Sequence, residues 1–393
     1  MTDLWMLDPS IVFLNHGSFG ACPRPVLEYQ SHVRTRMESE PVLFFRQLEE
    51  LADRARSSLG TFVGANPDDL AFVPNATTGV NTVLRSLDFK PGDEILITDH
   101  IYNACRNAAA MVAERAGAAL VTASVPFPIE APAEVTGAII DRVSPRTRLL
   151  LIDHVTSPTG LIFPIETLVR EMAERGIDTL VDGAHAPGMV PLDIEAIGAA
   201  YYTANAHKWM CAPKGAAFLH VRRDRQSRIV PTVISHGANS PRTDRTQFRL
   251  LFDWTGTTDP TAHLAIPTAI GTMESAVPGG WPALMAHNRE LALRARDVLI
   301  EALSIDRPAP DEMIGSMAAV PLPDDPGPPP TSATTGFQAE LWDRHRIEVP
   351  VNVWPVWPHL LLRVSAQIYN RPEQYEQLAG HVRKRVHNQQ NPG

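Results

Sequence analysis

The sequence predicts an α/β fold: a large domain on a mostly parallel sheet, then a smaller C-terminal α+β domain. Three observations carry this. Seven short apolar runs recur between residues 70 and 221, each of strand rather than helix length. Helical patterns separate several of them, and strand–helix–strand alternation builds parallel sheets covered on both faces. After about residue 260 the texture changes to long helical patterns followed by short strands.

The strand candidates are 70–73, 94–98, 119–125, 149–153, 179–182, 200–204 and 216–221, with helices expected at 103–116, 132–143 and 165–175. Beyond them, 261–277 and 281–303 read as long helices. The stretch 307–330 holds eight prolines and reads as an irregular surface connection. A helix at 337–344, strands at 349–353 and 360–365, and a closing helix at 372–387 complete the chain. We expect an N-terminal segment at 1–16, a large domain at 17–258 and a small domain at 259–393.

Composition narrows the function. The 393 residues carry 35 basic and 44 acidic side chains, a net charge of −9. A nucleic-acid binder normally shows a basic face, so no nucleic-acid partner is expected. The 44% apolar content supports a large core. The three cysteines, Cys22, Cys105 and Cys211, form no C-x-x-C pair. Neither a disulfide framework nor a cysteine-ligated zinc site is expected, and no metal. The opening MTDLWMLDPS carries acids and no leader pattern, and no run reaches membrane-spanning length. A cytoplasmic protein without membrane contact is the expectation.

Lysine is scarce: Lys90, Lys208, Lys214 and Lys384, against 31 arginines. Lys90 sits in a turn, Lys384 in a basic terminal helix and Lys214 in Ala-Pro-Lys-Gly. Lys208 follows a strand in an apolar, aromatic setting, where burial lowers an amine's pKa towards Schiff-base chemistry. Asp182 ends the run Thr179-Leu-Val-Asp before Gly183. That places a carboxylate at the carboxyl edge of the sheet, where open α/β sheets bind ligands. Such a carboxylate either pairs with a protonated pyridine nitrogen or simply forms a turn.

Pro74-Asn-Ala-Thr-Thr-Gly79 follows a strand and opens a helix. Ala76, Thr77 and Thr78 therefore read either as a phosphate cup or as an ordinary N-cap. Tyr102, beyond Asp99-His-Ile, is placed to stack on a flat ring. His185 and His207 flank Asp182 and Lys208, and Ser157 follows another strand. Arg363 lies inside the apolar run Leu360-Leu-Leu-Arg-Val-Ser. A buried arginine needs an anion, either a substrate carboxylate or a structural ion-pair partner.

Together these motifs resemble the class V aminotransferase family, which is pyridoxal-phosphate dependent and has the fold type I architecture. The likeness rests on Ala76-Thr-Thr-Gly79, Asp99-His-x-Tyr102, His154-Val-Thr-Ser-Pro-Thr-Gly160, Val181-Asp-Gly-Ala-His185 and Ala206-His-Lys-Trp209, in that order. It covers about residues 12–270 well and the rest more loosely. It implies a seven-stranded, mostly parallel sheet and pyridoxal 5′-phosphate as cofactor. Lys208 would be the Schiff-base lysine and Asp182 the partner of the pyridinium nitrogen. His185 would lie near the ring's phenolic oxygen, and Tyr102 would stack where many relatives carry His. Ala76, Thr77, Asn205 and His207 would hold the phosphate. Gly256 and Thr257 would reach the partner subunit's phosphate, implying a homodimer with shared active sites. Arg363 matches the family's substrate-carboxylate arginine, with Asn15 and His16 beside the substrate.

The opening Phe13-Leu-Asn-His-Gly-Ser-Phe-Gly20 and the Asp182–His185 segment look most like the isopenicillin N epimerase-like branch. The expected chemistry is α-proton abstraction from an amino acid joined to the cofactor as an imine. Three outcomes stay open: epimerisation, carbon–sulfur β-elimination from a bulky cysteine S-conjugate or sulfoxide, and transamination. Epimerisation needs a second acid, with Tyr102, His16 and His185 as candidates. Desulfurase chemistry would need a mobile-loop cysteine late in the chain, and none follows Cys211. The segment Val353-Trp-Pro-Val-Trp-Pro-His359 either walls the entrance or packs under the small domain.

Overall fold

The computed structural model describes residues 2–330 and 334–390. The outermost residues of the expected segments, 1 and 391–393, lie outside the described residues, as do 331–333. The strands in chain order are β1 (Val12–Phe13), β2 (Leu70–Val73), β3 (Glu94–Thr98), β4 (Ala119–Ala123), β5 (Thr147–Asp153) and β6 (Asp178–Asp182). They continue with β7 (Tyr201–Asn205), β8 (Ala217–Val221), β9 (Met317–Leu322), β10 (Ile347–Glu348), β11 (Val351–Val353) and β12 (Leu360–Ser365).

Strands β2 to β8 form one seven-stranded sheet in the order β2-β8-β7-β6-β5-β3-β4. Neighbours pair in parallel except at β8, which runs against both β2 and β7. Strands β3, β7 and β8 are buried along their whole length. That is the pattern of a sheet covered on both faces. Helix Ala76–Ser86 presses so close to β7 that a Cβ on Gly79 would stand 2.0 Å from Thr203 Oγ1. Only glycine permits that approach, and it carries the helix start to the sheet's carboxyl edge.

The C-terminal part holds a three-stranded antiparallel sheet, β11-β12-β9. Helices Gly280–Leu303 and Pro372–Gln390 pack on each other beside it. Here one expectation is corrected: residues 307–330 are not all irregular, because β9 lies within them. β9 is an edge strand, and Pro321 sits there without breaking a central ladder. The expected helix 261–277 is also two pieces, Thr261–Leu264 and Ile266–Glu274, with Pro267 in the first turn of the second. Helices Arg24–Ser39 and Pro41–Val63 had no counterpart in the sequence reading. The short parallel pair β1–β10 ties the N-terminal segment to the C-terminal region.

Candidate active site

Parallel strands β5, β6 and β7 end side by side at Asp153, Asp182 and Asn205. Asp153 and Asp182 are direct register partners, and Lys208 follows three residues after β7. The carboxyl edge of the sheet thus collects two carboxylates and an amine.

Lys208 Nζ lies 3.1 Å from His185 Nε2. Burial, with Arg363 as a like charge nearby, pushes its pKa down to about 8. Trp209 Nε1 lies 3.3 Å from His185 Nδ1. An indole N–H can only donate, so Nδ1 accepts and the neutral ring carries its proton on Nε2. That proton faces the Lys208 amine, which accepts it when neutral. Burial also holds His185 well below the ordinary imidazole range, keeping the ring neutral.

Asp182 accepts from the Ala184 N–H at 3.0 Å and from Cys105 Sγ at 3.1 Å. Burial raises its pKa. Gly183 follows of necessity, since a Cβ there would lie 2.3 Å from the Tyr202 hydroxyl. Asp153 accepts weakly from the Tyr102 N–H at 3.4 Å, and its Oδ2 is buried with no partner. Burial and the charge of Asp182 push Asp153 well above the carboxylate range. Tyr102 caps helix Asn103–Ala116 over this edge, with its side chain 45% exposed. Its near neighbour His100 is excluded from stacking: it is buried, and both nitrogens are taken by Thr159 and Val125.

At the start of helix Ala76–Ser86, Asn205 Oδ1 accepts from the Ala76 N–H at 2.9 Å. Thr78 turns both its N–H and its hydroxyl to the capping Asn75, at 2.8 and 3.0 Å. Of the three residues read as a phosphate cup, Thr78 therefore belongs to the cap, and the half-buried Thr77 lies in the first turn, where helix N–H groups lack intrahelical partners. His207 Nδ1 donates to Ala216 O at 3.0 Å, and burial lowers its pKa to about 4.

Arg363 is 3% exposed. One nitrogen meets Ser157 O and Oγ, and the other meets Ser18 Oγ at 3.1 Å and Asn15 Oδ1 at 3.4 Å. Its Nε has no partner, and among the described residues it makes no ion pair. Burial lowers its pKa to about 10, and nearby Tyr102 offsets this. Asn15 in turn donates to Glu348 at 2.8 Å. Ser157 and Asn15 are thus both brought to Arg363.

His16 is placed elsewhere. It is fully buried behind Lys208, with Nε2 on Lys208 O at 3.1 Å and Nδ1 on the Tyr369 hydroxyl at 2.9 Å. Both nitrogens are occupied and burial lowers its pKa to about 3. The ring holds the lysine's backbone, which corrects the expectation that it meets substrate. Gly256 and Thr257 also stand outside the cluster. Gly256 lines a crevice with Phe45, Arg56 and His263, and Thr257 is exposed.

Asp153, Cys105 and Trp209 were missed as site residues. Asp153 was findable, since it ends its apolar run just as Asp182 does. Cys105 gave no signal, and Trp209 stood in the lysine's motif without a role, because their contacts to Asp182 and His185 come from packing between distant elements.

A family model described as Aminotransferase class-V matches residues 23–318. The chain belongs to the class V aminotransferase family. It is 37% identical over 387 residues to isopenicillin N epimerase of Streptomyces clavuligerus, covering 95% of this chain and 94% of that protein. It is 30% identical over 401 residues to a probable chloroplastic L-cysteine desulfhydrase of Arabidopsis thaliana, covering 94% of this chain and 82% of that protein. Among solved structures, the cystine C–S lyase C-DES in complex with cysteine persulfide superposes with a TM-score of 0.77. At 20% identity over 95% of this chain and 98% of that one, it shares the fold. The chain is an enzyme of this family, and its architecture is the fold type I expected. Among the described residues, no helix is long and apolar enough to cross a membrane.

Proposed function

We propose that the protein is a pyridoxal 5′-phosphate enzyme of the isopenicillin N epimerase-like branch, acting at the α-carbon of an amino acid. The observation that carries this is Arg363: a buried guanidinium with no carboxylate partner among the described residues, facing the same site as a lysine of lowered pKa. The residues present fit the cofactor. Asp182 is a buried carboxylate that, among the described residues, makes no direct ion pair, as a pyridinium partner must. Ala76, Thr77, Asn205 and His207 would hold the phosphate at the helix start, and Tyr102 would flank the ring. Bound there, pyridoxal phosphate supplies an electron sink that acidifies the substrate's α-C–H.

The chain's own residues supply the rest. Arg363 holds the substrate carboxylate and so orients the α-carbon. Lys208 Nζ, neutral above about pH 8, takes the α-proton. His185, its tautomer set by Trp209, positions the neutral Lys208 amine through its Nε2–H. A second acid is needed for epimerisation. His16 and His185 have their nitrogens engaged, which leaves Tyr102.

A second reading is a carbon–sulfur β-lyase acting on a bulky cysteine S-conjugate or sulfoxide. It needs Lys208 alone, and the 30%-identical desulfhydrase favours it. Trp354 packs edge-on against His100 at 4.7 Å and Phe127 at 5.6 Å, while Val356 is exposed. This segment would wall the entrance for a bulky substrate. The reading also takes the protein as a cytoplasmic homodimer with shared active sites, divided near residue 258 into a large and a small domain. Gly256 and Thr257 would face the partner's phosphate.

Product analysis in D₂O with the cofactor-loaded protein tests this. Deuterium at the α-carbon with an intact side chain and inverted configuration supports the epimerase. Pyruvate, ammonia and a released sulfur fragment establish the lyase instead. A keto acid with aminated cofactor means transamination. An absence of all three across amino acids and cysteine conjugates overturns the proposal.

A further inference from the structure

At the amino edge of the sheet, away from Lys208, Asp69, Glu195 and His220 converge. One ligand atom from each lies within 4.8 Å of the others. We propose that this is a divalent-cation site, taking Zn²⁺ or Mn²⁺, that pins the edge strands of the sheet.

The fold brings the three together from separate elements. Asp69 ends the short turn Pro67–Asp69, just before β2. His220 lies on β8, directly opposite Leu70. Glu195 lies in the short helix Ile194–Ile197, whose Glu195 N–H donates to Gly64 O. The decisive feature is His220. Its side chain is 3% exposed, yet among the described residues neither ring nitrogen has a hydrogen-bond partner. A buried imidazole without partners is unusual and unfavourable. An imidazole ring nitrogen free of any hydrogen bond is the donor a metal ion takes.

The remaining contacts leave room for a cation. Nε2 of His220 stands 3.9 Å from Glu195 Oε1, too far for a hydrogen bond. Asp69 uses one oxygen, Oδ1, for both Gln226 at 2.6 Å and Arg223 at 2.7 Å. Glu195 Oε1 also accepts from the Asn66 N–H at 2.9 Å. Two carboxylates against the single guanidinium of Arg223 leave a net negative charge beside the ring. One imidazole with two carboxylates is a borderline-hard donor set that suits Zn²⁺ or Mn²⁺ better than Mg²⁺. Glu195 is 56% exposed, which gives the ion a way in.

The consequence is structural. Asp69 immediately precedes β2 and His220 lies on β8, the two strands at one margin of the sheet, and β2 leads directly into the helix start at Ala76. An ion there would fasten that margin to Glu195.

The test uses the full chain with its cofactor bound, freed of metal by chelation. Zn²⁺ and Mn²⁺ are added in turn, with Mg²⁺ as the contrast. Metal analysis after desalting and the melting temperature are then read. One equivalent of retained Zn²⁺ or Mn²⁺ and a rise in Tm of about 3 °C or more are expected. His220→Asn should abolish both. Glu195→Gln, at an exposed side chain, should fold normally and weaken binding about tenfold or more. The cofactor's absorption should not change in either variant. Retention below a tenth of an equivalent in the unsubstituted protein, or equal binding in both variants, overturns the proposal.

Discussion

Two buried arginines, Arg56 and Arg363, sit in opposite circumstances. Arg56 is wrapped by acids: its side chain is 2% exposed and bonds Asp53 at 2.7 Å and Asp253 at 2.5 Å. Arg249 and Arg245 share the same two carboxylates. Arg363 is equally buried and touches only neutral oxygens of Ser157, Ser18 and Asn15. The first arrangement is architecture, joining helix Pro41–Val63 to helix Gln247–Asp253. The second leaves a charge uncompensated, which a fold tolerates only where a ligand completes it. Burial alone does not mark a functional charge; the missing counter-ion does.

The comparison can be broken at several strengths. The largest effect belongs to Lys208→Ala, which should reduce turnover by about 10⁴-fold while the protein stays folded, measured by steady-state rate and circular dichroism. Next come the two arginines themselves. Arg363→Met should raise KM for an amino acid about 100-fold, with stability unchanged or improved. Arg56→Met should leave KM alone and cost about 2 kcal/mol in denaturant unfolding, because the buried Asp253 loses one of its charged partners. Both variants losing stability alike would erase the distinction.

A smaller effect concerns pH. The lowered pKa of Lys208 means the amine is protonated and unreactive below about pH 8 and free above it. The rate at which the apoprotein takes up pyridoxal phosphate should therefore rise about tenfold per pH unit towards pH 8 and level off beyond. Absorbance after mixing measures it; a profile still climbing through pH 10 would contradict the lowered value. The smallest effect is Trp209→Phe. Losing the donor to His185 Nδ1 should reduce kcat about tenfold with KM unchanged.

Much of this was legible in the sequence, for identifiable reasons. All seven strands of the large sheet were visible as short apolar runs, clearest in the buried parallel ones such as Leu149–Asp153 within β5. Lys208 and Asp182 stood out because their types are unusual at strand ends. β9 was hidden by Pro321, which reads as a loop residue although an edge strand accepts it. The role of His16 was also hidden. Nothing in Asn15-His-Gly tells that the ring turns inward to Lys208 O, because that contact closes over 192 residues. The lack of an acid beside Arg363 is likewise a property of packing, visible only once every neighbour is placed.

The most direct test of the central claim is an absorbance titration of the cofactor-loaded enzyme with an amino acid and with its α-carboxamide. Arg363 should favour the carboxylate about 100-fold over the amide, and Arg363→Met should abolish that preference. Equal affinity for acid and amide in the unsubstituted enzyme would contradict the account, since the buried guanidinium would then hold no substrate carboxylate.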